Sequence, residues 1–331
     1  MMRLLDLWRK YTGTAVADLH SHKVDEAIEC VIDGIDAKLR LVPSYQQKLR
    51  EAVSAALQHI DLLVEQVPGP FHFSQSTYTR DHAARAYFAS PDIMQLTFSN
   101  SPELQAFFSD FNNSELDSCY ALLCSNKQEK TILGSELVGD IIRHDIVQTA
   151  INFFDYKVLS PASNASDVKK GIKQCIFDGL ITHALQHIAG IKLERHDLQN
   201  QQRILHAQLR ARQSKGNGLS SMLAEGHAHQ SQSEQLELRC RQAGKKLEKM
   251  LGSQDVLSFY LDEVRQILSK PEDFIQLNAA CFRLSDMRIV VDENAPQNAT
   301  TVCFSELEIA NVMKRVVAIV SYSRDEMEQK H

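Results

Sequence analysis

Residues 180–209 read LITHALQHIAGIKLERHDLQNQQRILHAQL. Leu180, Ala184, Ile188, Ile191, Leu198, Leu205 and Leu209 recur there at steps of three, four or seven, which places them on one stripe of a long helix and makes the stripe a coiled-coil seam. Arg195 and Gln202 interrupt it; polar groups in a seam lower stability and fix register. The helical period begins at Asp167 and stops at Lys215-Gly216-Asn217-Gly218. A Ser/His/Gln-rich link runs to about Ser233, after which Leu236, Cys240, Ala243, Leu247 and Met250 repeat the spacing. Two such helices joined by a link are expected to fold back as an antiparallel hairpin. A further helix is expected over Asp255–Ser269, closed by Pro271.

Both flanks of this helical stretch read as β-structure. Before it, Cys119–Cys124 and Lys130–Leu137 are short apolar runs separated by Ser125-Asn-Lys-Gln-Glu129, the form of a hairpin with a polar loop. Ile141–Val147 and Thr149–Leu159 predict a second pair, closed by a loop at Ser160-Pro161. After it, Phe274–Leu284, Met287–Val291, Thr300–Leu307 and Met313–Tyr322 predict four more strands, with a loop at Asn294–Asn298. A lone pair of hairpins is marginally stable, so strands on both sides of a helical insertion are expected to share one sheet.

The N-terminal third is helical. Val24, Ala27, Ile28, Val31, Ile32 and Ile35, then Leu49, Val53, Ala56, Leu57, Ile60 and Val64, predict two antiparallel helices broken at Pro43-Ser44, with Ser44 as N-cap, and ended by Pro68-Gly69-Pro70. Short helices follow near Asp81–Ala89, Pro91–Leu96 and Pro102–Phe111; Ser90 and Ser101 are placed as N-caps before a first-turn proline. Phe71, Phe73, Tyr78, Tyr87 and Phe88 belong to a core. The expected fold is α+β: a helical N-terminal region (1–112), a discontinuous antiparallel β-domain (113–163 and 273–324), and an inserted antiparallel helical arm (164–272).

Composition limits function more than it assigns one. With 44% hydrophobic and 24% charged residues the chain is a folded globular protein, and its 331 residues suit two or three domains. The start lacks an apolar run long enough for a signal peptide and no window approaches a membrane span, so a cytoplasmic location is expected. Seven scattered cysteines without a Cys-x-x-Cys pair argue against a disulfide framework and a zinc ribbon; most are expected as small buried residues.

No motif completes a catalytic set. Asp18-Leu-His-Ser-His22 resembles the first metal-binding motif of the PHP-type phosphoesterases, which implies a metal-dependent hydrolase, but a helical pair follows it where that family needs repeated β/α units. His183 and His187, four apart on a helix, could share a metal, yet nothing in the sequence completes their site. His227 and His229 sit in the polar link. Arg143-His144-Asp145 reads as a strand with charges facing solvent. Lys215-Gly-Asn-Gly lacks the spacing of a phosphate loop, and Ser135, Ser160 and Ser305 stand outside any nucleophile elbow. Catalytic residues, metal ligands and cofactor are therefore all assigned as none. The rival enzyme reading is a hydrolase site assembled from His20, His22, His144 and His183.

Charge layout is the one functional signal. Lys192–Lys215 holds six basic and two acidic residues, and Glu234–Lys249 five and three, so the two windows sum to +6 in a chain whose net charge is −6. The remainder carries −12. A basic arm on an acidic protein suggests a contact surface, with Arg203, Arg210, Arg212, Lys245 and Lys246 towards its tip as the expected partner-binding residues. A protein partner or self-association is favoured. Nucleic acid or an anionic membrane surface is the alternative, disfavoured because six cations over some 24 residues are sparse for a nucleic-acid helix and no aromatics interleave.

Overall fold

The computed structural model describes residues 16–138, 141–216, 235–246, 255–285, 287–291 and 299–327, with side chains described from residue 23 onward except at 136–143 and 212–216. The described elements are helices α1 (Val16–Ile35), α2 (Tyr45–Glu65), α3 (His82–Tyr87), α4 (Pro91–Ser99), α5 (Pro102–Ser109), α6 (Ala165–Gly216), α7 (235–246) and α8 (Val256–Ser269). The strands are β1 (Phe71–His72), β2 (Ser118–Val138), β3 (Ile141–Ala162), β4 (Ile275–Ser285), β5 (Ala299–Ile309) and β6 (Met313–Ser323). The fold is α+β, with mixed helix and antiparallel sheet. The chain forms two compact units, Met1–Ser54 with Ile181–Ser269, and Ala55–Leu180 with Lys270–His331; the boundaries fall inside α2 and α6.

In the first unit α1 buries Val24, Ala27, Ile28, Val31, Ile32 and Ile35, the i, i+3, i+4 stripe read from sequence. Arg50 bridges to Asp25, and Tyr45 donates to Glu29 at 2.7 Å, so the start of α2 runs antiparallel to α1. The break between them is a 3-10 turn, Ala37–Leu41, capped by Asp36. Ser44 sits at φ 55°, a left-handed turn residue rather than the N-cap its position suggests, because an N-cap needs extended backbone. α8 contributes Tyr260, Leu261, Val264, Ile267 and Leu268. Gly34 lets α6 come close: a Cβ there would lie 2.5 Å from Ile181 Cγ2. Lys192 ties α6 to the corner, its ammonium 2.6 Å from Asp36 and 5.4 Å from the centre of the Tyr260 ring. That hydrogen bond from Lys192 holds the Asp36 carboxyl below its ordinary value, against the desolvation that would raise it.

In the second unit one sheet runs in the order β3-β2-β6-β5-β4, with antiparallel neighbours and β1 joined parallel to β6. Strands from both sides of the helical insertion thus share a sheet, as expected. The central strand β6 is buried on both faces. Val316, Ala318, Val320 and Tyr322 join a core with Tyr87 of α3, Phe88 just after it, Phe98 of α4, Phe73, Phe153 and Phe304. On the opposite face Val317, Ile319, Leu307 and Ile309 are buried. There Gly179 of α6 stands where a Cβ would meet Ile309 Cδ1 at 2.5 Å, and His59 Nε2 of α2 lies 3.1 Å from the Ile275 carbonyl. The short helices start as read: Asp81 accepts from Ala83 and Ala84, Ser90 from Ile93, and Ser101 from Leu104.

Three β expectations are corrected. The two expected hairpins are one: Ser125–Glu129 is no loop, and β2 continues unbroken to Val138, paired with β3 from Tyr120↔Ala162 to Val138↔Ile141. β2 pairs with β6 only as far as Ser125; beyond it the described residues of β2 are half-buried or exposed while Ala150, Ile151 and Phe153 of the facing β3 are buried, so the polarity of Asn126–Glu129 marks an exposed strand and not a loop. Register shifts at Cys124/Asn126 and Gly134/Glu136 absorb the irregularity. β3 likewise runs through Ser160-Pro161, with Ser160 at φ 51°. Met287–Val291 is not a strand: it makes only the bridges Ala150↔Ile289 and Leu284↔Val290. The expected loop at Asn294–Asn298 lies outside the described residues.

Cysteine usage also departs from expectation. Cys119, Cys124 and Cys240 are buried, but Cys281 and Cys303, directly opposite on β4 and β5 and both exposed, are joined in a disulfide. No Cys spacing motif marks such a pair, because strand register alone brings the two side chains together.

Candidate functional site

The arm is assembled from the far part of α6 and from α7. Residues 192–216 carry no proline and are rich in Leu, Gln, Ala and Arg, so helix propensity sustains roughly 36 Å of rod beyond Ile191 at about 1.5 Å per residue. α7 lies antiparallel to it: Cys240 Sγ is 3.2 Å from His206 Nε2, and four residues on, a Cβ at Gly244 would stand 3.4 Å from the Gln202 amide. Cys240 and Ala243 are the buried residues of this contact, while Leu198, Leu205, Leu209 and Leu236 are only half-buried. The seam read from sequence therefore splits. Its first part, Ala184 and Ile188, is fully buried, and its distal leucines keep one side open.

The open side is a groove of about 450 Å³ between α6 and α7. Leu198, Ile204, Leu205 and Ala243 line it together with Gln201, Gln208 and Gln242, and among the described residues its charged lining side chains are Arg239 and Lys246. Among the described residues, no carboxylate lines it. Ile204 is 57% exposed, an apolar side chain held in water on a helix that could have turned it inward.

Of the residues predicted for partner binding, Arg203, Arg210, Lys245 and Lys246 are exposed on the arm. Only Lys246 lines the groove; Arg203 and Arg210, seven apart, share another stripe of α6. The side chain of Arg212 lies outside those described. Sequence reading missed Arg239 and Gln242, whose signal was their i, i+3, i+4, i+7 relation to Ala243 and Lys246 on one helix face.

The histidines of the rival reading occupy separate settings. His183 is buried in the first unit, and His187 Nε2 pairs with Glu263 at 2.9 Å. His144, in the second unit, has Nδ1 2.8 Å from Ser135 Oγ across the β-ribbon. The side chains of His20 and His22, and all of His227 and His229, lie outside the described residues. Among the described residues, no three His, Cys, Asp or Glu side chains gather so as to hold a metal ion. Burial pushes the thiols of Cys119 and Cys124 up to about 12, so neither supplies a thiolate near neutral pH. A second cleft, about 20 Å³ and large enough for roughly one water, lies among His82, Arg85, Arg288 and Thr300. There His82 Nδ1 is 3.0 Å from Thr300 Oγ1, a contact that joins α3 to β5, and 2.9 Å from Arg85 Nη2 within α3.

No helix among the described residues is long and apolar enough to cross a membrane. No family model matches this chain, and neither the curated proteins nor the solved structures contain one that is significantly similar to it.

Proposed function

We propose that this is a non-catalytic interaction or scaffold protein that engages a protein partner through its basic helical arm. One observation carries the reading: cations stand exposed along a two-helix arm with an open apolar groove, in a chain whose charge outside the arm windows is −12. Charge of that kind steers an acidic partner, and apolar surface gives the encounter something to bury. Reversing Arg203, Arg210, Arg212, Lys245 and Lys246 to Glu, with a photo-crosslinker at position 207 of both proteins, tests this in cells. The wild type is expected to crosslink to a defined partner and the reversed variant at least about tenfold less, since a few rim charges are worth about 1.4 kcal/mol together. Equal crosslinking by both proteins overturns the reading. The nucleic-acid and membrane rival prevails instead if the purified protein binds duplex DNA, RNA or anionic vesicles with an affinity that falls log-linearly across about 50–200 mM salt.

We place this activity in the cytoplasm. Cys119, Cys124, Cys175 and Cys240 stand outside any disulfide, the usage of a reducing compartment. The Cys281–Cys303 bond is exposed, so in that compartment it is expected to stand reduced, and thiol-blocking of intact cells before lysis, followed by mass spectrometry, is expected to recover both cysteines as blocked thiols. Recovery as the intact disulfide would place the protein in an oxidising compartment.

A further inference from the structure

We infer that the groove between α6 and α7 takes an acidic amphipathic helix of the partner, laid along both to complete a three-helix bundle. This rests on the arm being the docking element and specifies what docks. The lining has helical periodicity on both walls. On α6, Leu198, Gln201, Leu205 and Gln208 follow one another by three or four residues, and on α7, Arg239, Gln242, Ala243 and Lys246 stand at i, i+3, i+4 and i+7. A surface built that way matches a third helix that presents apolar anchors at i, i+3, i+4 and i+7. The groove spans about ten residues of α6, roughly 15 Å or nearly three turns, enough for two or three such anchors.

Its chemistry selects the sign of the occupant. The lining joins four apolar side chains to three amides, and its charged residues, among those described, are Arg239 and Lys246. A helix with Glu or Asp flanking its apolar stripe meets a cation from α7, whereas one flanked by Lys or Arg is repelled. A second copy of this arm is disfavoured on the same ground, because the arm windows carry +6.

Two helical peptides of about four turns, identical in a Leu stripe but flanked by Glu in one and Lys in the other, serve as probes against the full-length protein. The Glu peptide is expected to bind at least about tenfold tighter, a difference that shrinks with salt. Arg239→Glu with Lys246→Glu should invert the preference. Ile204→Asp should weaken both peptides by about tenfold while leaving helix content and melting unchanged, since this residue is exposed and not part of the helix pairing. Equal affinity for the two peptides, or a preference that survives the double reversal, overturns the inference. If partner crosslinking is lost in the five-residue variant while the peptides show no preference, the arm remains the docking element and the groove falls. If the peptides behave as expected but crosslinking is unaffected, the groove stands and the proposed cellular contact falls.

Discussion

Tyr87→Ala is expected to cost about 3–5 kcal/mol and to lower the melting temperature by roughly 10–15 °C, while Tyr87→Phe is expected to cost nothing or to stabilise by up to about 1 kcal/mol. The two variants separate the ring from its hydroxyl. Tyr87 is 1% exposed at the centre of the second unit's core, its ring 5.5 Å from Phe153, 5.1 Å edge-on from Phe304 and 6.0 Å from Phe73. Removing the ring leaves a cavity bounded by aromatics from β3, β5 and the segment that follows β1, which cannot all collapse into it. The hydroxyl is different, since Tyr87 Oη has no hydrogen-bond partner among the described residues and its desolvation is uncompensated. Burial drives its pKa well above the ordinary phenol value. Thermal unfolding followed by near-UV circular dichroism reads both variants. A loss above about 1 kcal/mol in Tyr87→Phe would show that the hydroxyl is bonded and that this account of the core is wrong.

Gly69→Ala should be nearly as damaging, at about 3 kcal/mol and roughly 10 °C, for a reason of backbone rather than packing. Gly69 adopts φ 119°, outside the range of L residues, and an added Cβ would stand 2.2 Å from the Ile319 carbonyl oxygen. That obstacle is main chain of the central strand. It cannot swing aside as a side-chain tip could, because the residues on either side of it are locked in register with Leu123 and Ala121 of β2. The preceding carbonyl, of Pro68, accepts from Ile319 N at 2.8 Å, which fixes the approach from the other direction. A melting temperature within about 2 °C of wild type would mean that the loop relaxes away from β6 and that the close approach is not required for stability.

Those two sites mark where sequence reading succeeds and where it stops. Tyr87 belongs to a run of aromatics that composition alone assigns to a core, whereas the need for glycine at position 69 arises from a strand some 250 residues away. The caps at Asp81, Ser90 and Ser101 and the stripes of α1 and α8 were legible because helix signals are local: three or four residues decide each one. The long ribbon was not. Its register from Lys127↔Phe153 to Val138↔Ile141 depends on pairing partners, and Leu133 and Val147 face one another there while both remain about two-thirds exposed.

The arm divides in the same way. Its helices and its basic windows follow from periodicity and charge, which any stretch of chain carries with it. Which face of α6 meets α7 does not, since a seven-residue stripe broad enough to be a seam leaves either flank available to the partner helix. The contacts Cys240–His206 and Gly244–Gln202 choose one flank, and that choice leaves Ile204 exposed with Arg239 and Lys246 over the groove beside it. The sequence by itself determined that this protein is α+β, that its strands on either side of residues 164–272 share one sheet, and that a helical, basic arm lies between them. The tertiary structure alone decided the strand order, the cross-strand Cys281–Cys303 bond and the groove, because each joins residues whose only relation is proximity in space.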